Sequence, residues 1–202
     1  MSAESLPYGP LGPDTVHLCI DMQTLFAERT DWHVPWMERV LPRVVKVAEA
    51  HPDRNIFTRF VPPEKPDEMP GTWRRYYERW QNMTGSKLDP SLVELVPPLA
   101  ALVPPGTIVD KRHYSPFVEP RLHAMLQDRG INTLVITGSE TDVCVLATVM
   151  AAVDLGYRVV IVRDGVCSAS DETHDALMRM YHARFGQQIE AADVETVLSA
   201  WR

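Results

Sequence analysis

The stretch TLVITGSETDVCVLATVMAAVDLGYRVVIV, residues 133–162, decides the predicted fold. Two short apolar runs, TLVIT and RVVIV, flank a segment that begins at Asp142 and carries apolar residues at helical spacing up to Leu155. Glycine-containing turns separate these pieces. Apolar runs of this length, bounded by turn residues, are typical of strands buried on both faces of a parallel sheet. The stretch therefore predicts a strand, a crossover helix and a second, parallel strand.

The same alternation extends along most of the chain. Further strands are predicted at residues 16–20 (VHLCI), 55–60 (NIFTRF), 107–109 (TIV) and 188–190. Further helices are predicted at residues 34–50, 120–129, 171–185 and 192–200. Pro42 falls inside the first of these helices, which predicts a kink or a late start. We predict an α/β fold: a doubly wound, Rossmann-like, mostly parallel sheet of about six strands flanked by helices, in a single domain over residues 14–202.

Several polar residues and one glycine stand at the predicted ends of strands. They are Asp21, Asp110, Lys111, Gly138 and Asp164. Ligands of doubly wound sheets bind in the crevice outside the carboxyl ends of the strands. These positions are therefore the first candidates for chemistry.

Residues 61–105 interrupt the alternation. The segment is rich in proline and carries Trp73, Tyr76, Tyr77 and Trp80, which helical spacing places on one face. Two interpretations stay open for this aromatic face. It packs a surface helix or forms an oligomer contact, as aromatic stripes usually do, or it caps the active site.

Composition and charge restrict the class of protein. The chain has 202 residues and a formal net charge of -7, which argues against a nucleic-acid partner because phosphate binding needs a concentrated basic surface. No apolar stretch approaches the length of a membrane-spanning helix. Residues 1–13 have neither a basic start nor an apolar centre, so we interpret them as a poorly ordered or surface-draped leader and not as a signal peptide. The expected location is the cytoplasm.

Three cysteines, Cys19, Cys144 and Cys167, form no CxxC pair, and reduced thiols are expected. Cys19 lies inside a predicted strand, and Cys167 lies in a predicted loop. Cys144 falls in the first turn of a predicted helix, where unpaired backbone N–H groups and the helix dipole favour a thiolate. We therefore predict a lowered pKa for Cys144, and the same N–H groups could hold an oxyanion.

Four blocks of sequence resemble one enzyme family. They are CIDMQTLF (19–26), VDKRHYSPF (109–117), GSETDVCV (138–145) and LGYRVVIVRDGVCSAS (155–170). In order and spacing they resemble the isochorismatase-like cysteine hydrolases, and specifically the metal-independent amidohydrolase branch. Residues 61–105 match this pattern least.

The resemblance implies a role for each matching residue. Cys144 would be the nucleophile, Asp21 the general base and Lys111 the supporting cation. A cis peptide bond is implied between Ser139 and Glu140, with the backbone N–H groups of Glu140 and Cys144 as the oxyanion hole. The implied activity is hydrolysis of a small carboxamide, carbamoyl or ureido compound through a thioester, releasing an acid and ammonia or an amine.

The residues assigned to substrate binding are less specific. They are Gln23, Phe26, Trp73, Tyr114 and Phe117, and Phe117 fits core packing equally well. Glu140 stands where relatives often have alanine, so a pocket-facing Glu140 would favour a substrate with amine or urea N–H groups.

The resemblance also bears on metals, partners and alternatives. Related nicotinamidases carry an Asp-x-His metal motif after the second strand, whereas residues 58–68 here contain no histidine. Asp31 and His33 have that spacing but follow the first strand, so we expect no metal and no cofactor. A homo-oligomer, a dimer or tetramer, is expected. The alternatives are a vinyl ether hydrolase that uses Asp21 and Lys111, and a non-catalytic binding protein with a redox-sensitive Cys144.

Overall fold

The computed structural model describes residues 5–202 and shows a six-stranded sheet in which all neighbouring strands are parallel. The strands are β1 (Thr15–Ile20), β2 (Asn55–Phe60), β3 (Thr107–Lys111), β4 (Thr133–Ser139), β5 (Arg158–Cys167) and β6 (Ile189–Ala192). Their order across the sheet is β3-β2-β1-β4-β5-β6, which confirms the predicted doubly wound fold.

Eight α-helices lie within the described residues. They are α1 (Thr24–Ala27), α2 (Met37–Ala50), α3 (Gly71–Arg79), α4 (Pro97–Ala100), α5 (Pro120–Asp128), α6 (Leu146–Asp154), α7 (Asp171–Phe185) and α8 (Val194–Ala200). Short 3₁₀ turns lie at Pro52–Arg54, Pro66–Glu68, Gln81–Met83, Pro90–Val93 and Pro116–Val118, and a π-helical turn lies at Thr141–Val145.

Both faces of the sheet are covered by apolar packing. On one face, α5, α6 and α7 pack on alternate strand residues such as Leu18, Leu134 and Ile161. On the other face, α2 and α8 pack on the intervening residues, including Val135 and Val160. Every residue of β1 and of β4 is buried, which explains why these strands read as continuous apolar runs.

Two strand ends differ from the sequence prediction. β5 runs to Cys167, and its pairing with β4 shifts between Ile136 and Gly138, so β5 carries a bulge that includes Asp164. The predictions that Asp164 ends a strand and that Cys167 lies in a loop are wrong for this reason. Asp110 likewise lies inside β3, where its carboxylate pairs with Arg59 at 2.7 Å.

Pro42 lies within α2, which begins at Met37. The predicted helix at residues 34–50 therefore starts three residues late, and Pro42 stands in its second turn. Met37, Val40 and Val44 are buried along its inner face. Their packing stabilises the helix around Pro42, which by itself disfavours helix formation.

The segment 61–105 packs onto the sheet. Tyr77, Met83 and Leu99 from this segment share a buried cluster with Phe57 and Phe60 of β2. Of the predicted leader, residues 1–4 lie outside the described residues. Leu6 and Leu11, from the remainder, are buried against the β5–α8 side of the core.

Candidate active site

Three side chains converge where the strand order reverses. Asp21 follows β1, Lys111 ends β3 and Cys144 lies in the π-helical turn after β4. β1 and β4 are neighbours at the point where the chain switches from building the sheet in one direction to building it in the other. Crevices at such switch points are the usual ligand sites of doubly wound sheets. We call Asp21, Lys111 and Cys144 the buried trio.

Asp21 is held from two sides. Its Oδ2 lies 2.6 Å from Lys111 Nζ, and its Oδ1 accepts a hydrogen bond of 2.6 Å from Thr58 Oγ1. Its own N–H donates back to Thr58 Oγ1 at 3.1 Å. The Asp21 backbone adopts φ +48°, a left-handed conformation that is uncommon outside glycine. Thr58 is therefore a site residue that the sequence did not indicate.

Lys111 is fully enclosed beside the carboxylate. Its side chain is 2% exposed, its Nζ donates to His113 O at 3.0 Å, and it lies 4.9 Å from the centre of the Phe60 ring. Burial by itself lowers the pKa of Lys111, but Asp21 and Cys144 outweigh burial, and the pKa lies above its ordinary value. The ammonium form is thus the stable form in this site.

The Cys144 thiol interacts with both charged partners. Burial raises the pKa of Cys144 strongly, Lys111 opposes this rise and Asp21 adds to it. The predicted lowering is therefore wrong for the free protein: Cys144 is only 6% exposed, and desolvation outweighs the effect of the helix terminus. The resting thiol is protonated, so a base must remove its proton before it can attack.

A tight turn brings Cys144 to this position. Gly138 has φ +114°, and a Cβ at this residue would lie 2.1 Å from Ile20 O, so only glycine allows β4 to approach β1 this closely. The Ser139–Glu140 peptide bond is cis. The N–H groups of Val143 and Val145 both donate to Glu140 O at 3.0 Å. We call residues 138–145 the nucleophile turn.

The nucleophile turn is tied to the start of α7. Thr141 Oγ1 lies 2.9 Å from His174 Nδ1. The Asp142 carboxylate accepts hydrogen bonds from Ser168 Oγ, at 2.6 Å, and from Thr173 Oγ1. These side chains hold the turn against the residues at the start of α7.

Glu140 lies at the rim of the site. Its Oε2 accepts a hydrogen bond of 3.1 Å from Ala169 N, and the carboxylate interacts electrostatically with Tyr76 and Tyr114. Burial raises the pKa of Glu140, the bond from Ala169 lowers it and Asp142 raises it further, with a net rise. The carboxylate therefore lies between the 168–170 turn and the tyrosines near Cys144.

Three of the residues assigned to substrate binding have structural partners instead. The Gln23 amide donates to Phe60 O and Val93 O and accepts from Phe60 N, so both of its ends are occupied. Phe26 stacks on Trp32 with ring centres 6.3 Å apart. Phe117 stacks on Tyr157, just before the amino end of β5, at 5.8 Å.

The other two, Trp73 and Tyr114, meet beside the trio at 4.6 Å between ring centres. Tyr76 and Tyr77 of α3 join them, and the hydroxyls of Tyr76, Tyr77 and Tyr114 all interact electrostatically with Cys144. The aromatic face of α3 thus lies toward the candidate nucleophile, as the capping interpretation requires. The spacing of these residues was the signal, but it could not choose between the two interpretations.

The other two cysteines stand apart. Cys19 is fully buried within β1 and Cys167 is 2% exposed at the end of β5. Burial raises the pKa of each of these thiols to about 12. Cys167 lines a cleft of roughly 410 Å³ between α2 and α7, and no residue of the buried trio lines this cleft.

Residues 5–202 contain neither a metal-binding cluster nor a membrane-spanning helix. In this part of the chain, no three histidine, cysteine, aspartate or glutamate side chains are grouped as a metal site would need. Among the described helices, none has the length and apolar character needed to cross a bilayer.

Sequence comparisons give named relatives. The isochorismatase domain model matches residues 15–193. A probable inactive nicotinamidase of Arabidopsis thaliana is 31% identical over 170 residues, which cover 81% of this chain and 85% of the relative. Maleamate amidohydrolase of Pseudomonas putida is 26% identical, covering 67% and 61%. Ureidoacrylate amidohydrolase of Methylorubrum extorquens is 36% identical over 103 residues, covering 50% and 42%.

Solved structures share the fold. A cysteine hydrolase from Pseudomonas syringae pv. phaseolicola superposes with a TM-score of 0.80 at 22% identity, covering 99% of this chain and 98% of that one. N-carbamoylsarcosine amidase from Thermoplasma acidophilum superposes with a TM-score of 0.72 at 19% identity, covering 90% and 96%. At these identities the likeness concerns the fold alone.

Proposed function

We propose, because this chain belongs to the isochorismatase family, that it hydrolyses the C–N bond of a small carboxamide, carbamoyl or ureido compound through a thioester on Cys144. One observation carries the proposal. A thiol, a carboxylate and an ammonium group are buried in mutual contact at the switch point of the sheet. Burying an ion pair and a thiol together is costly because all three groups lose their hydration, and such groups cluster at functional sites. Activation of a nucleophile is a function that needs this arrangement.

The first step is activation of the thiol. As the carbonyl of the substrate approaches, the Cys144 proton moves to Asp21, and Lys111 then balances the new thiolate. The trio is neutral overall before this transfer, with Asp21 and Lys111 charged, and neutral after it, with Cys144 and Lys111 charged. Because no net charge appears in the low-dielectric interior, the transfer avoids the cost that raises the pKa of an isolated buried thiol.

The covalent steps follow from the same three groups. The thiolate bonds to the carbonyl carbon, and the oxyanion accepts hydrogen bonds from the N–H groups of Glu140 and Cys144. Asp21 then gives its proton to the leaving nitrogen, the C–N bond breaks and a thioester remains. A water molecule loses a proton to Asp21 and attacks the thioester. The C–S bond breaks, the acid leaves and the proton returns to Cys144.

The class of substrate is supported by the rim of the site. Named relatives act on maleamate and ureidoacrylate, and a protein of the same fold acts on N-carbamoylsarcosine. In this chain the Glu140 carboxylate beside Tyr76 and Tyr114 adds an acceptor for a second N–H group on the substrate. A carbamoyl or ureido group supplies both the scissile carbonyl and such an N–H group.

Ammonia release tests the proposal. Nicotinamide, maleamate, biuret and carbamoylated amino acids are supplied to the wild-type protein, with isochorismate followed separately. Cys144→Ala is expected to abolish ammonia release. Cys167→Ala is the matched control, because it removes another buried thiol outside the trio and should retain turnover.

Two other outcomes would replace the proposal. Isochorismate turnover that survives Cys144→Ala, without ammonia from any amide, would assign the chemistry to Asp21 and Lys111 alone. Absence of all turnover together with reversible oxidation of Cys144 by peroxide would favour the binding protein with a sensing thiol. The second outcome would also agree with the name of the Arabidopsis relative, which is called a probable inactive nicotinamidase.

A further inference from the structure

The cleft that Cys167 lines lies at the carboxyl end of β5, between α2 and α7. Its volume of roughly 410 Å³ falls within the range of small-molecule sites, about 300–1,000 Å³. The carboxyl ends of the strands are also where doubly wound sheets bind their ligands. Because no residue of the buried trio lines it, this cleft is a candidate binding site that the proposed hydrolysis does not use. We call it the α2–α7 cleft.

The floor of the α2–α7 cleft is apolar. It includes Val40 of α2, which is 7% exposed, and Val166 and Cys167 of β5, which are each 2% exposed. An aliphatic group that covers this floor displaces water from apolar surface, which is favourable. The floor therefore suits a ligand with a short hydrocarbon part.

The charged residues of the cleft are divided between its two sides. Arg39 and Arg43 line it from α2, and Asp171 and Asp175 line it from the first two turns of α7. Residues four apart in a helix lie on the same face, so each pair forms one charged strip. The α2 side of the cleft is thus basic and the α7 side is acidic.

Part of the charge at the cleft is compensated within the protein. Arg43 Nε pairs with Asp164 Oδ2 at 2.9 Å, and Arg163 Nη2 lies 3.9 Å from Asp193 Oδ2. Arg163 and Asp164 are themselves lining residues on the β5 side. These groups therefore do not decide the charge of a ligand.

The remaining charges have no such partners. The Arg39 guanidinium lies over the Trp36 ring, 3.9 Å from its centre, and its side chain makes no hydrogen bond or ion pair within residues 5–202. In the same part of the chain, the carboxylates of Asp171 and Asp175 also make none. One uncompensated cation thus faces the cleft from α2, and two uncompensated carboxylates face it from α7.

We propose that the α2–α7 cleft binds a small aminocarboxylate, with its carboxylate toward Arg39 and its ammonium group toward Asp171 and Asp175. An anion alone gains Arg39 but meets two carboxylates, and a cation alone gains the carboxylates but meets the arginine. A ligand with both charges gains both sets of charge-assisted contacts. Its carbon chain then covers the apolar floor.

The bound molecule also lies against residues that hold the nucleophile turn. His174 and Ser168 line the cleft. His174 Nδ1 lies 2.9 Å from Thr141 Oγ1, and Ser168 Oγ donates to Asp142 Oδ1 at 2.6 Å. A ligand that binds only while the start of α7 is folded shifts the local equilibrium toward the closed form. An aminocarboxylate in the cleft therefore slows amide hydrogen exchange over residues 168–175.

The test compares matched probes by NMR titration of the wild-type protein. Glycine, 4-aminobutyrate and 6-aminohexanoate differ in the separation of their two charges. Each is compared with the acid that lacks its amino group (acetate, butyrate or hexanoate) and with the amine that lacks its carboxylate (methylamine, propylamine or pentylamine). Amide hydrogen exchange is measured with and without the aminocarboxylate that binds most tightly.

The variants remove one side of the cleft at a time. Arg39→Gln neutralises the α2 side, and the double variant Asp171→Asn/Asp175→Asn neutralises the α7 side. Arg121→Gln and Asp128→Asn are the matched controls, because both residues are exposed on α5 and neither lines the cleft.

The expected result is a dependence on both charges. At least one aminocarboxylate binds about fivefold tighter than its matching acid and amine. Arg39→Gln reduces its affinity to that of the amine, and Asp171→Asn/Asp175→Asn reduces it to that of the acid, whereas the α5 controls keep the wild-type affinity. The same ligand slows exchange over residues 168–175.

Three results would overturn the proposal. They are an aminocarboxylate that binds no tighter than its acid or its amine, binding that survives both cleft variants, and binding without slower exchange over residues 168–175. Sedimentation of the wild-type protein and the cleft variants gives a fourth: self-association that both variants abolish would assign the cleft to contact with a second copy of the chain. None of these measurements uses turnover, so they decide the proposal independently of the proposed hydrolysis.

Discussion

The buried trio lies beside a cluster of aromatic rings, yet different forces hold the two regions. This cluster, the aromatic cage, consists of Trp32, Phe60, Trp73, Tyr76, Tyr77 and Tyr114. The trio consists of charged or ionisable groups fixed at strand ends, with contacts of 2.6 Å between Asp21 and its neighbours Lys111 and Thr58. The cage consists of rings held by packing at 4.6 to 6.4 Å. Removing one partner of a buried ion pair leaves the other charge without compensation, which strongly lowers the free energy of unfolding. The packing energy of a ring is the sum of many weak contacts, so the loss of one neighbour removes only part of it. The two regions therefore differ in how strongly a single substitution should disturb them.

The largest effect is expected when the ion pair is broken. Lys111→Met leaves the Asp21 carboxylate at 0% exposure without its cation. We expect the free energy of unfolding to fall by about 3–5 kcal/mol, as measured by urea denaturation at pH 7, together with loss of amide turnover. The double variant Asp21→Asn/Lys111→Met is the control and should recover part of the stability. A loss below about 1 kcal/mol in the single variant would contradict the strong coupling that we assign to the trio.

A smaller effect concerns the strands that carry the trio. His17 in β1 is fully buried and bonded to Asn55 at 2.8 Å and to Thr137 at 2.7 Å. Burial lowers the pKa of His17 from 6.5 to about 4, although the bond to Asn55 opposes this shift. The folded state therefore resists protonation that the unfolded state accepts. Stability due to neutral His17 is complete above pH 6.5 and is lost as pH falls toward 4, by about 3 kcal/mol.

Urea denaturation between pH 7.5 and 4.5 measures this loss. His17→Gln cannot take up the proton and should flatten the corresponding part of the profile, although it starts from a lower stability. The aromatic cage carries no such group in the described residues, so cage variants should keep the wild-type profile. An unchanged slope in His17→Gln would mean that other groups cause the acid sensitivity.

Truncation in the cage should affect binding more than stability. Trp73 is half-buried and contacts Phe60, Tyr77 and Tyr114. Trp73→Ala is expected to raise KM for amides about tenfold, to leave kcat within a few-fold, and to cost about 1–2 kcal/mol of stability because the ring is only partly enclosed. Trp36→Ala, at an exposed tryptophan outside the cage, should change neither constant. A collapse of kcat with unchanged KM would assign Trp73 to the chemistry instead.

The smallest effect is expected at the rim. Glu140→Gln keeps a side-chain oxygen for the Ala169 N–H but removes the negative charge. For carbamoyl and ureido substrates we expect kcat/KM to fall about three- to tenfold, since the second N–H loses a charged acceptor. Simple carboxamides without that N–H are the control and should be affected less. Equal losses for both substrate classes would show that Glu140 acts through the turn and not on the substrate.

The sheet and the positions of the buried trio were easier to predict from the sequence than the aromatic cage. Apolar runs that lead to Asp21 and Lys111, and a glycine turn before Cys144, are local patterns, so the sequence could place the first two residues at strand ends and the third at the start of a helix. The predicted sheet is confirmed, because buried parallel strands are continuous in sequence. The bulge in β5 escaped prediction because the sequence Arg163-Asp164-Gly165 reads as a turn, while pairing with β4 continues beyond it.

The cage side was harder to predict, since it depends on contacts between distant segments. Trp32 carries no local signal, and Gln23 and Phe26 follow the family pattern although their side chains pack within the protein. The direction of the Cys144 pKa shift was missed for a related reason. A helix terminus is visible in the sequence, but the depth of burial that outweighs it appears only in the folded chain.

The hydrogen bonds between the nucleophile turn and α7 have a consequence for amide hydrogen exchange. The Thr141–His174 and Asp142–Thr173 bonds must break before the turn can open, so its opening is coupled to fraying of the first turn of α7. The exchange rates of the amides at the start of this exposed helix therefore report the local opening of a site that is itself closed to solvent.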